Sequence, residues 1–196
     1  MIKEIECVEQ EDDLLKKALL LSALVTKAFK VAGWDLVVVG GSAVEFYTEG
    51  AYMSGDVDFC RLNARPIPLR LAQDVMTTLR ATGGPRSWQI AGLFVDLLGL
   101  FENEAKTPCR EVMTPLGPVV IMPPELVVVE RVLSAYYPRE NSENKTVART
   151  IIAVGLSDRL SIDWDEVNRV AQLPDFRIAE EVNALKKEVS DETTNN

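Results

Sequence analysis

The succession of hydrophobic patterns predicts an α/β (α+β) fold in two parts, an α/β core followed by a helical C-terminal part. Three observations carry the prediction. Short β-branched runs alternate with helical patterns as far as residue 122, a Pro-Pro step at Pro123 and Pro124 ends the alternation, and helical patterns alone follow. The expected divisions are 1–122 for the core with its N-terminal helix, 123–189 for the helical part, and 190–196 for a polar tail that frays.

Taken in order, Glu11 to Val31 has leucines and alanines at helical spacing (Leu14, Leu15, Ala18, Leu19, Ala23, Leu24). Acids precede them and Lys27 and Lys30 follow, which suits the helix dipole, and Gly33 supplies the stop. Leu36 to Val39 is a β-branched run ending in Gly40 and Gly41, so it reads as a buried strand entering a tight turn. Ser42 to Glu49 suits a short helix, and Val57 to Cys60 a second strand after a turn at Ser54 and Gly55. Leu69 to Leu79 reads as a helix entered through Pro66 and Pro68 and left through Gly83, Gly84 and Pro85. Ser87 to Ala91 and Leu93 to Leu100 read as strands around Gly92, with another at Val119 to Met122. The helical part comprises Glu125 to Tyr136, Val147 to Leu156, Asp163 to Ala171 and Phe176 to Val189. Asp163 and Glu166 have the spacing of a capping box, and the polar stretch 138–145, with Arg139 and Lys145, reads as a solvated loop.

Composition excludes several kinds of chemistry. With 47% hydrophobic and 26% charged residues the chain is an ordinary globular one. There is no histidine, which excludes Ser-His-Asp and Cys-His catalysis and HExxH zinc sites within the chain. Cys7, Cys60 and Cys109 are too few and too scattered for a disulfide framework or a zinc cluster, and they read as small buried hydrophobes in a reducing compartment. The net charge of −9 works against indiscriminate nucleic-acid binding and leaves room only for a local basic groove. Part of that acidity is terminal, in Glu4, Glu6, Glu9, Glu11, Asp12 and Asp13. No apolar run is long enough to span a membrane, so a soluble, cytoplasmic protein is expected. Trp34, Trp88 and Trp164 are dispersed and read as packing residues, not as a stacking platform.

The informative segment is 37–59, VVVGGSAVEFYTEGAYMSGDVDF. A strand ends in Gly-Gly-Ser at the start of a helix, and the next strand carries Asp56 and Asp58. Side chains two apart on a strand share a face, so both carboxylates point at one site. They repel each other unless a cation lies between them, and magnesium is held in that way. Asp96 stands alone in the apolar strand LFVDLL, where burial without a partner is costly, so a polar cleft is expected beside it. Were its strand to neighbour that of Asp56 and Asp58, three carboxylates would converge, enough for two divalent ions. Gly40 and Gly41 allow backbone to approach phosphate closely at a helix N-terminus, and Ser42 adds a hydroxyl.

In these residues the chain resembles the polymerase-beta-type nucleotidyltransferase superfamily, whose signature is a Gly-Gly or Gly-Ser turn, a carboxylate-x-carboxylate strand and a third carboxylate nearby. Within it the chain looks most like the small AbiEii-toxin-like and uncharacterised prokaryotic branch. The matching residues are Gly40, Gly41, Ser42 and Ala43, then Ser54 to Asp58, then Pro124 and Glu125 with Arg131 in the place of a lysine. The resemblance implies a nucleotidyltransferase core with a small mixed β-sheet flanked by helices. It implies that Asp56, Asp58 and Asp96 are catalytic and ligate two Mg2+ ions, and that Gly40, Gly41, Ser42 and Arg131 bind a nucleoside triphosphate. The implied reaction moves a nucleoside monophosphate from that triphosphate to a hydroxyl acceptor, which is an RNA end, a protein hydroxyl or a small molecule, with an antitoxin or another protein as partner. The chain departs from the pattern in having arginine for lysine at 131 and no acid in 145–150. A catalytically degenerate fold, acting as a nucleotide-sensing or protein-binding module, is the alternative.

Overall fold

The computed structural model describes residues 2–157 and 159–194. The chain divides into two compact units. One contains the residues up to Phe46, Met53–Glu102 and Cys109–Met122, and the other Tyr47–Tyr52, Asn103–Pro108 and the residues from Pro123 onward.

The first unit is built on a seven-stranded mixed sheet. Its elements run α1 (Ile2–Glu9), α2 (Leu14–Val31), β1 (Leu36–Val39), α3 (Gly40–Tyr47), β2 (Asp56–Arg61), α4 (Leu69–Thr78), β3 (Thr82–Gly83), β4 (Ser87–Ile90), β5 (Leu93–Leu100), β6 (Arg110–Thr114) and β7 (Gly117–Ile121). The strand order is β3-β4-β5-β2-β1-β7-β6. β1 is antiparallel to β2 and parallel to β7, while β2 is parallel to β5. The mixed α/β class expected from the sequence is what the chain adopts.

α2 is the helix on which this unit is assembled. Asp13 caps it, its side chain accepting from the Lys16 N–H at 2.9 Å. Leu20 through Val25 are buried without interruption, as befits a helix enclosed on most sides, and it packs on β1 and β7. α1 was not expected, because its two buried residues, Ile5 and Val8, are too few to stand out among acids. They pack toward α2, and Lys27 donates to Glu4 across the pair at 2.6 Å. β3 and β6 also escaped the sequence reading. The first is a two-residue strand and the second an edge strand with no buried residue, so neither has the alternation that marks a half-buried strand.

The helices of the second unit are α5 (Pro124–Tyr136), α6 (Ser142–Leu156), α7 (Trp164–Ala171) and α8 (Ala179–Thr194). α5 supplies the core through Leu126, Val127, Val128, Val129, Val132 and Ala135 and packs on the other three. Two buried glutamates tie residues 103–108 to this bundle. Glu125 accepts from Thr107 Oγ1 and from the Asp163 N–H, both at 2.9 Å. Glu166 accepts from the Lys106 N–H and from Arg169 in a bidentate pair at 2.8 and 2.7 Å.

Several local expectations are corrected here. Asp163 caps α7, but Glu166 does not close the capping box, because Arg169 and Lys106 take its carboxylate and Glu125 takes the Asp163 N–H. The stretch 138–145 is not all loop. α6 begins at Ser142 with Asn141 as its cap, and Lys145 pairs with Glu140 at 3.5 Å and lies over the Tyr136 ring. α8 continues to Thr194, into the segment expected to fray, because Val189 is buried and Arg149 pairs with Glu188 and Glu192. Residues 195–196 lie outside the described residues. Cys7 is exposed, and Cys60 and Cys109 are only half-buried. Trp34 and Trp88 do pack in the core, while Trp164 is half-buried under Lys186.

Candidate active site

The central strand β2 positions the site. On one side Asp58 lies opposite Val39, the last residue of β1, and on the other it lies opposite Asp96 of β5. Asp56 and Asp58 share a face by alternation, and the in-register parallel pairing puts Asp96 on the same face. The outcome is a cluster in which one carboxylate oxygen from each of Asp56, Asp58 and Asp96 lies within 4.8 Å of the others, all three residues half-buried.

The turn from β1 into α3 is shaped by the same strand. Gly40 has φ +67°, and a Cβ there would stand 2.6 Å from Asp58 Oδ2. Glycine is thus required twice over, by the backbone conformation and by the carboxylate pressed against it. Ser42 is fully buried, and its hydroxyl donates to Val39 O at 3.0 Å while accepting from the Asp58 N–H at 3.1 Å. The hydroxyl expected to reach a ligand is instead turned inward, fastening the end of β1 to the backbone of Asp58. Gly41 is half-buried in the first turn of α3.

Sequence reasoning missed Glu45. It is 2% exposed on α3, and its Oε2 accepts from the Ser54 N–H at 2.9 Å. The Ser54 hydroxyl in turn donates to Asp56 Oδ1 at 2.6 Å, so a chain of two bonds runs from α3 through the loop to the first carboxylate. Burial pushes the Glu45 carboxyl above its usual range and the charge of Asp56 adds to this, against the lowering effect of the Ser54 N–H. A glutamate inside a helical pattern looks like a solvated residue, so nothing in the sequence marks it. Phe94, two residues from Asp96 and opposite Asp56, was also missed. It is 53% exposed, and Leu98 on the other side of Asp96 is 50% exposed, so apolar side chains flank the carboxylates on an open part of the sheet.

Arg131 lies on α5 in the second unit, half-buried, with its Nε enclosed and without a partner among the described residues.

The donor set fits a divalent cation. All three residues offer hard carboxylate oxygens, the class that magnesium takes. Asp96 Oδ1 is enclosed and has no hydrogen-bond partner among the described residues, a costly arrangement for an anionic oxygen unless a cation compensates it.

No protein-family model matches the sequence, and no curated protein does. Solved structures do match the fold. An antigenic nucleotidyltransferase-like protein from Paracoccidioides brasiliensis is similar with a TM-score of 0.54 at 14% identity, covering 88% of this chain and 94% of that one. The structure of ANT(2")-Ia in complex with adenylyl-2"-tobramycin is similar with a TM-score of 0.52 at 14% identity, covering 89% and 98%. The chain is therefore a mixed α/β protein with the fold of nucleotidyltransferase-like structures.

Proposed function

We propose that the protein is a metal-dependent nucleotidyltransferase that moves a nucleoside monophosphate from a nucleoside triphosphate to a hydroxyl acceptor. The observation that carries this reading is the convergence of Asp56, Asp58 and Asp96 around an enclosed, unpartnered carboxylate oxygen. The fold it shares with nucleotidyltransferase-like structures supports it.

In this reading Asp56 and Asp58 hold divalent cations, Mg2+ by the chemistry of the donor set, and Asp96 completes the site. Such ions supply Lewis-acid stabilisation of the charge that builds on the transferring phosphoryl group. The chain itself does the positioning. Gly40 keeps backbone bulk away from Asp58, Ser42 holds the Asp58 backbone, and Ser54 orients Asp56. Gly40 and Gly41 give triphosphate oxygens close access to the first turn of α3, and Arg131 is a further nucleotide contact by the sequence resemblance. Asp96 takes the proton of the acceptor hydroxyl as the acceptor's oxygen bonds the α-phosphorus. The bond from that phosphorus to the bridging oxygen breaks, and pyrophosphate leaves.

A small-molecule hydroxyl as acceptor draws support from ANT(2")-Ia, which was solved with adenylyl-2"-tobramycin. An RNA end or protein hydroxyl as acceptor, and an antitoxin-type partner, rest on the sequence resemblance alone. Melting temperatures with each nucleoside triphosphate, with and without Mg2+, test the site in the wild type and in Asp58→Ala. Ligand at about 100 times its Kd adds roughly 2.7 kcal/mol, so a Mg2+-dependent rise of about 5–10 °C that the mutant lacks is expected. No rise with any triphosphate sinks the proposal. A rise without pyrophosphate release in the presence of hydroxyl acceptors would point to the degenerate, nucleotide-sensing module.

A further inference from the structure

The charge of the chain is unevenly distributed. Between Phe59 and Val95 lie Arg61, Arg65, Arg70, Arg80 and Arg86, no lysine, and Asp74 as the one acid, in a chain whose net charge is −9. An acidic protein has carboxylates to spare for its arginines, and Arg80 indeed reaches Glu6 and Glu9 at 3.9 and 3.8 Å. Among the described residues Arg61, Arg65, Arg70 and Arg86 have no carboxylate partner. Arg65 lies over the Trp34 ring at 4.1 Å and donates to Gly33 O, and Arg61 Nε donates to Arg65 O at 3.1 Å.

Two of these arginines, Arg61 and Arg86, line a cavity of about 330 Å³ whose other walls are apolar, including Ile67, Leu69, Pro85 and Leu97. No acid lines it. It is separate from the carboxylate cluster. None of Asp56, Asp58 and Asp96 lines it: Leu97 alternates away from Asp96 on β5, α4 closes the recess with Leu69 and Ala72, and Leu98 reaches it from the carboxylate side of the strand.

Two guanidiniums without counter-ions around an apolar recess call for an anion of about two charges with an apolar or planar body. A phosphate monoester carries roughly −1.5 to −2 at neutral pH, and three acceptor oxygens match the guanidinium fork. A simple carboxylate would satisfy one arginine and leave the other unpaired. The volume falls at the lower end of the range for small-ligand sites, about 300 to 1,000 Å³, which suits a compact ligand. We propose that the cavity between Arg61 and Arg86 is a metal-independent binding site for a small phosphate monoester, of the size of a nucleoside monophosphate, lined by none of Asp56, Asp58 and Asp96.

The test is calorimetric titration of the full chain with AMP in excess EDTA, with adenosine and inorganic phosphate as separate arms. AMP binding without metal is expected, with adenosine weaker by about tenfold or more, since it lacks the charge-assisted bonds of the phosphate. Inorganic phosphate is expected to compete, more weakly than AMP. Arg86→Ala, an exposed position whose truncation spares the core, and Arg61→Gln should each weaken AMP by about tenfold, with Arg86→Lys recovering part of the loss. Asp58→Asn should leave binding in EDTA unchanged. No AMP binding in EDTA, binding that survives both arginine substitutions, or binding lost in Asp58→Asn each overturns the assignment. Failure here leaves the carboxylate site untouched, because that site is read only in the presence of Mg2+.

Discussion

The two units each contain clustered acids, and the clusters are built in opposite ways. In the helical unit Glu125 and Glu166 are buried, yet their carboxylates accept from donors on several sides: the Thr107 hydroxyl, the Asp163 and Lys106 N–H groups, and the Arg169 fork. In the sheet unit Asp56, Asp58 and Asp96 face one another, and Asp96 Oδ1 has no donor among the described residues. Carboxylates matched by donors hold a fold together, whereas carboxylates gathered about one another, with the Ser54 hydroxyl on Asp56 and no donor on Asp96 Oδ1 among the described residues, store repulsion that a cation relieves. Acid count alone does not separate the two cases; the disposition of donors does.

The sharpest way to break this contrast is to delete a carboxylate from each cluster and measure both activity and stability. Asp58→Ala and Asp96→Ala should each lower nucleotidyl transfer by about a thousandfold or more, the effect of several kcal/mol of lost transition-state stabilisation. Their metal-free melting temperatures should be unchanged or raised, since repulsion is relieved. Glu166→Gln should do the reverse. It leaves Arg169 and the Lys106 N–H short of an acceptor, a loss of about 1–3 kcal/mol, or roughly 2 to 10 °C in Tm, with activity per folded molecule retained. Loss of transfer in Glu166→Gln with no change in Tm would collapse the distinction.

Gly40→Ala should come next in size. A Cβ there meets Asp58 Oδ2 and the backbone conformation disfavours it, so Mg2+ affinity and transfer are both expected to fall, by about tenfold to a hundredfold, the range seen when groups that orient metal ligands are altered. Isothermal titration with Mn2+ as a Mg2+ surrogate would read the affinity.

Acidity separates the clusters by sign. The Arg169 guanidinium, helped by the Lys106 N–H, holds the Glu166 carboxyl down to about 2. The unfolded chain then binds the proton more readily, so this contribution to stability is complete above pH 4.5 and is lost as pH falls toward 2. Glu45 behaves oppositely. Burial raises its folded pKa, so the folded chain holds the proton more tightly, and stability falls as pH rises from 4.5 through that raised value. Denaturant midpoints across pH should show the acid-side loss diminished in Glu166→Gln and the alkaline-side decline diminished in Glu45→Gln. The smallest effect is expected at Phe94, where Phe94→Ala should raise KM for the acceptor by about tenfold or less, the loss of one stacking contact, with kcat little changed.

Much of the scaffold was legible before any tertiary information. β1 and β5 have the expected ends, Leu36–Val39 and Leu93–Leu100, because long apolar, β-branched runs bounded by glycine leave one reading. The three aspartates stood out because acids in apolar strands conflict with their surroundings. Glu45 did not stand out, since a glutamate inside a helix conflicts with nothing locally, and only the fold shows that its helix face is buried. The Asp163–Glu166 spacing misled for a related reason: Arg169 and residues 103–108 compete for the same groups across distances that local spacing does not register.

By itself, then, the sequence determined most of the strands and helices, though not α1, β3 or β6, and also that the chemistry has no imidazole and which carboxylates are candidates, because these follow from local periodicity and composition. Tertiary structure alone decided the rest. It set β5 beside β2 so that Asp96 reaches Asp58, turned the Ser42 hydroxyl inward, and left Arg61 and Arg86 around one recess with no carboxylate partner among the described residues. Strand order and register depend on the burial of whole faces, an energy summed over residues far apart in the chain, and no local pattern encodes it.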